Sequence, residues 1–394
     1  MDIGLNTKKT QTIGLGLVIF TLFIDTLLYS LIIPIIPNYI TRLGASQTVV
    51  GLLFGSYAVS LLITSPLWGI LSDRVGRRIP IILGLAGFAA STVFFAFADS
   101  IPELFIARLL QGIASAATWT SSLALLADLF PSNERGKVMG LALTAISAGS
   151  LLGAPMGGFL ADLGGYVTPF LTVTVLIIID GLAFTFLIKD SQKSAEEKTN
   201  ILVLLRNRKV LLISAIIFVA NGILSLLEPI FPIFLEKSFN ASITSIGLLF
   251  GIATLAHGIT APVSGNLADR YGHFPVMFCG LALIALTIPL LVLSGTLFHE
   301  AIAMFLVGAS VAAALSPTLS AIANVVDQQE TKSYASAYAI FDIFYALAMI
   351  LGPIAGGILA DLLGLRISVL AVSSLLLAAI ILSFISYSLK NFRR

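Results

Sequence analysis

Twelve apolar runs recur along this chain, each long enough to cross a bilayer: residues 13–37, 48–71, 79–98, 101–128, 137–161, 166–188, 210–236, 243–267, 274–295, 298–325, 332–360 and 366–388. Crossing ~30 Å of hydrocarbon takes about 20 residues of helix. A chain built this way is expected to be an all-α polytopic membrane protein with 12 transmembrane helices. Composition agrees. Charged residues make up 11% of the 394, against roughly 25% in soluble domains. The single cysteine, Cys279, sits in an apolar run, so no intramolecular disulfide can form. Lys8 and Lys9 precede the first run, which shows no small-residue cleavage site, so it is read as a retained span.

The two halves repeat. Pro34-x-x-Pro37 returns as Pro229-x-x-Pro232, and the sequence Gly51-Leu52-Leu53-Phe54-Gly55 returns unchanged at 247–251. Gly69 to Arg77 returns as Gly265 to His273, and Gly157 to Asp162 as Gly356 to Asp361. Offsets of 195 to 199 residues predict two pseudo-symmetric six-helix bundles in parallel topology. The expected domains are 1–188, a polar cytoplasmic linker at 189–209, and 210–394. With the N-terminus inside, the inner segments carry 18 of the 22 Lys and Arg residues. The positive-inside rule therefore puts both termini in the cytoplasm.

Several motifs carry chemistry. Gly69-x-Leu71-Ser72-Asp73-Arg74-x-Gly76-Arg77-Arg78 joins spans 2 and 3 on the inner side. Gly76 permits a tight turn, and the basic residues meet the anionic leaflet or nearby carboxylates. Plain positive-inside topology accounts for the arginines but not for the Gly-Asp-Arg-Gly spacing. Here the chain resembles the major facilitator superfamily, which implies a gating role for Asp73, Arg74 and Arg77. In span 5, Gly149 to Gly158 includes Gly153 and Pro155. Small residues let helices approach closely and Pro bends the helix. The stretch resembles the family's antiporter motif, with generic small-residue packing as the other reading.

Polar residues fall in stripes. Arg108, Gln111, Ser115, Thr118 and Ser122 share one face of span 4, bordered by Trp119. Thr21, Asp25 and Tyr29 do so in span 1; Ser214, Asn221, Ser225 and Glu228 in span 7; Tyr334, Tyr338, Asp342, Tyr345 and Met349 in span 11. A buried carboxylate costs several kcal/mol unless paired or protonated, so Asp25, Glu228 and Asp342 need a reason. One reading is a cavity for an organic cation, held by charge and by cation–π contact with the tyrosines. The other is that these residues cement helix packing. Asp180 and the lone intramembrane His257 are read as structural. No metal-ligand spacing, phosphate loop or nucleophile motif appears, so no metal, cofactor, nucleic-acid partner or enzymatic activity is expected.

Within the superfamily the chain resembles the vesicular monoamine and amine transporters and related bacterial twelve-span drug:proton antiporters. The likeness is carried by Asp25 to Tyr39, Leu104 to Gly112, Glu134 to Gly140, Asp180-Gly181, Asn221 to Pro232, and Tyr338 to Asp342 with Gly352-Pro353. It implies that Asp25 pairs with a substrate amine, that Asn221 and Glu228 line the same site, that Asp342 couples protons, and that Arg108 with Gln111 organises the polar network. Tyr29, Trp119, Tyr338 and Tyr345 complete the expected substrate contacts, and Asp25 and Glu228 share the proton coupling. Two departures stand out: Tyr57 occupies the place of a span-2 Lys, and span 10 is read as offering Ser310, Ser316, Pro317 and Asn324 but no carboxylate. The expected function is proton-coupled antiport of monoamine-like or multidrug-type organic cations by alternating access. The expected setting is a bacterial-type plasma membrane, with the protein working as a monomer. Rival readings are a symporter or uniporter for a neutral solute such as a sugar, and a transporter-like sensor or membrane-embedded enzyme.

Overall fold

The computed structural model describes the backbone of residues 2–188, 207–327 and 334–392, and within these the side chains apart from 2–9, 132–133, 327, 334–338 and 382–392. Every regular element among the described residues is an α-helix. In chain order these are α1 (Asp2–Leu31), α2 (Ile36–Arg42), α3 (Gln47–Val75), α4 (Arg78–Ala96), α5 (Ile101–Leu129), α6 (Ser132–Gly164) and α7 (Val167–Leu187). There follow α8 (Arg208–Phe239), α9 (Ile243–Tyr271), α10 (His273–Thr287), α11 (Leu290–Leu293), α12 (Leu297–Asp327), α13 (Tyr334–Leu363) and α14 (Leu365–Phe392). Eleven stretches among the described residues are long and apolar enough to span a membrane, and Leu365–Ile381 adds a shorter apolar one. Most of the expected linker, 189–206, lies outside the described residues.

The first apolar run, read above as one span to residue 37, is two helices. α1 stops at Leu31, a turn follows, and α2 starts at Ile36 with Pro37 in its first turn. Pro34 has no N–H to continue the ladder; around it Ile33 N and Ile35 N bond back three residues, to Ser30 O and Ile32 O. Yet Pro229 and Pro232, at the same spacing, lie inside a continuous α8. The Pro-x-x-Pro spacing alone does not set a helix end. Span 9 is likewise broken at Pro289, between α10 and α11.

The chain forms two compact units. One comprises Met1–Ala45, Leu53–Glu197 and Ser242–Gly251; the other comprises Ser46–Leu52, Lys198–Ala241 and Ile252–Arg394. In the first, α1 packs on α6 and α4 on α5 and α7. In the second, α8 packs on α13 and α10 on α12 and α14. The sequence repeat is thus also a repeat of helix pairs.

Small residues set these contacts. A Cβ at Gly149, Gly153 or Gly157 of α6 would run into the α1 carbonyls of Phe23, Leu27 and Leu31. Gly352 and Gly356 of α13 meet the α8 carbonyls of Gly222 and Leu226 in the same way. Gly112 lets α5 approach α3 at Tyr57 O, and Gly308 lets α12 approach α9 at Ala253 O. Close backbone approach replaces the hydrophobic drive that lipid removes. Gly76 and Gly272 occupy the left-handed region, with φ of 91° and 93°, and so perform the same turn in each half.

Each unit also contains a carboxylate that caps a helix start. In the second, Asp361 of α13 accepts from Gln47 N (3.0 Å), Thr48 N (2.8 Å) and Thr48 Oγ1 (2.6 Å) at the head of α3. In the first, Asp162 of α6 accepts from Thr244 N (3.0 Å) and Thr244 Oγ1 (2.6 Å) at the head of α9. Such groups satisfy orphan N–H donors and complement the helix dipole.

Candidate functional site

The polar stripes of α1 and α5 meet in the first unit. Asp25 is 4% exposed. Its Oδ1 accepts from the Tyr57 hydroxyl of α3 at 3.0 Å. Its Oδ2 accepts from Ser115 Oγ at 2.6 Å and from Thr118 Oγ1 at 3.4 Å. Tyr57 Oη also lies 2.8 Å from Ser115 Oγ, so Asp25, Tyr57 and Ser115 close a three-cornered ring. Three helices each contribute a corner.

Arg108 sits beside this ring, 1% exposed. Its guanidinium carbon lies 4.6 Å from the Tyr57 ring centroid and 5.8 Å from that of Tyr29. The two rings are themselves 5.5 Å apart. Arg108 Nη1 donates to Gln111 Oε1 at 3.1 Å, and Gln111 Nε2 donates to Thr92 Oγ1 at 3.3 Å. A planar guanidinium is suited to a face between aromatic rings and to a fixed side-chain acceptor. Trp119 borders the stripe and is half-buried.

The second unit holds a separate cluster. Asn221 Nδ2 donates to the Tyr345 carbonyl at 3.3 Å, which ties α8 to α13. Asn221 and Ser225 are buried, Glu228 is half-buried, and Asp342 and Tyr345 are exposed on the unit's surface. Tyr345 stacks on Phe341 with centroids 5.9 Å apart. It lies within electrostatic reach of both Glu228 and Asp342. The expected site residues of α8 and α13 are therefore neighbours. The side chain of Tyr338 falls outside the described residues.

At the turn between α3 and α4, Arg77 is buried and holds a network together. It donates through Nε to Asp128 Oδ2 at 2.8 Å, through Nη1 to Ser72 Oγ at 3.3 Å, and forms an ion pair with Asp73. Burial pulls the guanidinium down, but the Asp128 and Asp73 carboxylates outweigh it and raise it above its ordinary value. Arg74 is exposed. Asp128, on α5, closes this loop and was not among the residues expected to gate. Thr21 Oγ1 of α1 donates to Oδ2 of the buried Asp180 of α7 at 2.6 Å, while Asp180 Oδ1 has no hydrogen-bond partner among the described residues.

The family model of the Major Facilitator Superfamily matches residues 18–228 and 210–393. The chain belongs to that superfamily. As a Major Facilitator Superfamily protein it is a membrane transporter and not an enzyme. It is 32% identical over 375 residues to the probable vesicular acetylcholine transporter-B of Danio rerio, covering 91% of this chain and 76% of the relative. It is also 32% identical over 318 residues to the synaptic vesicular amine transporter of Homo sapiens, covering 80% of this chain and 62% of the relative. Among solved structures it resembles a bacterial homologue of the human lysosomal transporter Spinster. That match has a TM-score of 0.80 at 15% identity and covers 95% of this chain and 96% of that one. The nucleoside transporter NupG matches with a TM-score of 0.76 at 16% identity, over 94% and 99% of the two chains. At such identities these structures speak to the fold.

Two residues of this superfamily member were missed at the sequence level. Tyr57 was noted only as the absence of a Lys, yet it is the Asp25 partner from α3. Glu300 lies inside the tenth span, which was read as carrying no carboxylate; it is in the first turn of α12 and is 0% exposed. The signal was available, since an acidic residue three places into an apolar run is itself an anomaly.

Proposed function

We propose that this transporter exchanges protons for amines or lipophilic organic cations by alternating access, with the N-terminus on the cytoplasmic side. The Asp25 ring carries the reading. A lone buried carboxylate ringed by hydroxyls offers a full negative charge to an ammonium group, which replaces hydroxyl donors as it binds. The Tyr29 and Tyr57 rings beside it hold the Arg108 guanidinium and so fix the edge of the site. The ring also counts protons. Tyr57 and Ser115 bring one hydroxyl proton each, which satisfies two of the three corner contacts. A proton on Asp25 supplies the third. Proton and amine thus compete for one carboxylate, which is what coupled exchange needs.

Similarity to transporters named for acetylcholine and for amines supports the substrate class. Asn221, Glu228 and Tyr345 contribute the second unit's contacts, and Glu228 with Asp342 take up protons there. Asp73, Arg74, Arg77, Gly153 and Pro155 serve gating. The protein works as a monomer in a bacterial-type plasma membrane. Uptake of a labelled amine into proteoliposomes under an imposed proton gradient tests the reading. Flux that follows the gradient and is lost in Asp25→Asn is expected. Amine flux indifferent to pH, or normal flux in Asp25→Asn, refutes it. The rival is symport or uniport of a neutral solute, and gradient-independent flux of a sugar would favour it.

A further inference from the structure

Glu300 is the carboxylate that the amine reading leaves unused. It sits in the first turn of α12, where its N–H makes the opening helical bond to Thr296 O at 3.1 Å. It is 0% exposed, and neither carboxylate oxygen has a hydrogen-bond partner among the described residues. Counting from the helix caps, Ser100 before α5 corresponds to Thr296 before α12, so Glu300 occupies the place of Leu104. Leu104 is also 0% exposed. The second half has put an ionisable group into a position that the first half fills with hydrocarbon.

The neighbours do not compensate it. Of the helices packed against α12, α9 carries His257, Asp269, Arg270 and Tyr271, α10 carries His273 and Cys279, and α11 carries no titratable group. α8 carries Arg208, Lys209, Glu228, Glu236 and Lys237, and α13 carries Asp342, Tyr345 and Asp361 among its described side chains. None of these hydrogen-bonds or ion-pairs with Glu300. On its own helix, His299 is exposed and its Nδ1 pairs with Thr296 Oγ1 at 2.8 Å. The helix dipole favours a negative charge here by roughly 0.3–1 kcal/mol. An ionised carboxylate cut off from water and donors costs several kcal/mol. The desolvation cost is the larger of the two, so this packing favours the uncharged form.

We propose that Glu300 is a second proton-binding site, which keeps its proton while the first turn of α12 stays packed and passes it to external water when that turn loosens. Thr296, His299 and Ala303 line a recess of about 430 Å³ with Leu290, Leu293 and Ser294. In the proposed orientation this is the external side. The inference depends on the packing of α12 and not on what Asp25 binds.

Infrared spectra of purified wild type and Glu300→Gln read the group directly. The wild type is expected to show one protonated-carboxyl C=O band that the variant lacks. Glu300→Leu, the residue of the other half, reads it through stability. Its melting temperature is expected to exceed that of the wild type at alkaline pH, with the gap closing as pH falls, because the wild type takes up about one proton on folding. In proteoliposomes, Glu300→Gln is expected to shift the dependence of flux on external pH without abolishing flux. Identical carboxyl bands in wild type and Glu300→Gln, a pH-independent stability gap for Glu300→Leu, or an unchanged external-pH profile overturns the proposal. Should Glu300→Gln fail to fold, the Glu300→Leu pH series decides alone.

Discussion

The Tyr57 hydroxyl donates to Asp25 Oδ1 at 3.0 Å, with both side chains almost completely buried. This one bond joins α3 to α1 through the only carboxylate among the described side chains of α1. Hydrogen bonds to charged groups contribute about 1.5–3 kcal/mol. Tyr57→Phe keeps the ring beneath Arg108 and removes the bond. It is expected to lower stability by roughly that amount, read as a lower melting temperature in detergent. It is also expected to strengthen amine binding to Asp25, because one competing donor is gone, and a ligand-induced thermal shift measures that.

Arg108 is stacked as well as charged. Arg108→Lys keeps the charge but loses the planar face over Tyr57 and the fixed fork toward Gln111. A buried cation–π contact is worth about 2 kcal/mol. Transport is expected to fall more than tenfold, with Arg108→Lys no better than Arg108→Gln. Flux assays on the two variants check this, and full activity in Arg108→Lys would reduce Arg108 to a bare positive charge.

Gly153 and Gly140 lie on the same helix and predict opposite outcomes. Gly153 faces the Leu27 carbonyl at the α1–α6 contact, while a Cβ at Gly140 meets nothing within 4 Å. Gly153→Leu is expected to abolish folded protein. Gly140→Ala is expected to stabilise by about 0.8–1 kcal/mol through helix propensity. Yield and monodispersity on size-exclusion chromatography report the first, and thermal unfolding the second.

Asp361 and Asp162 are equivalent caps in the two units. Removing a capping side chain costs about 0.5–2 kcal/mol. Asp361→Ala should speed hydrogen exchange at the Gln47 and Thr48 amides, and Asp162→Ala at Thr244. Asp→Asn at either site keeps an acceptor and should fall between. Unchanged exchange would mean that water replaces the cap without cost.

Much of this was legible beforehand because it depends on sums along the chain. Hydropathy located the apolar runs, and constant offsets located the repeat that reappears as paired helices. Three- and four-residue spacing put Arg108, Gln111, Ser115, Thr118 and Ser122 on one face, and the first four line one network. Tyr57 escaped because its ring reads as apolar in a stretch of α3 whose polar positions, Ser56, Ser60 and Thr64, are all small hydroxyls. Glu300 escaped because one carboxylate barely changes the average of a long apolar window.

The amino-acid sequence alone determined the apolar runs and the duplication, since each follows from local composition or from self-comparison. Only the tertiary structure decided which polar groups meet. A hydrogen bond needs its partners within a few tenths of an ångström and a limited angle, and that depends on how each helix is rotated against its neighbours. Two carboxylates in similar apolar runs therefore ended differently: Asp25 ringed by three hydroxyls, Glu300 facing none.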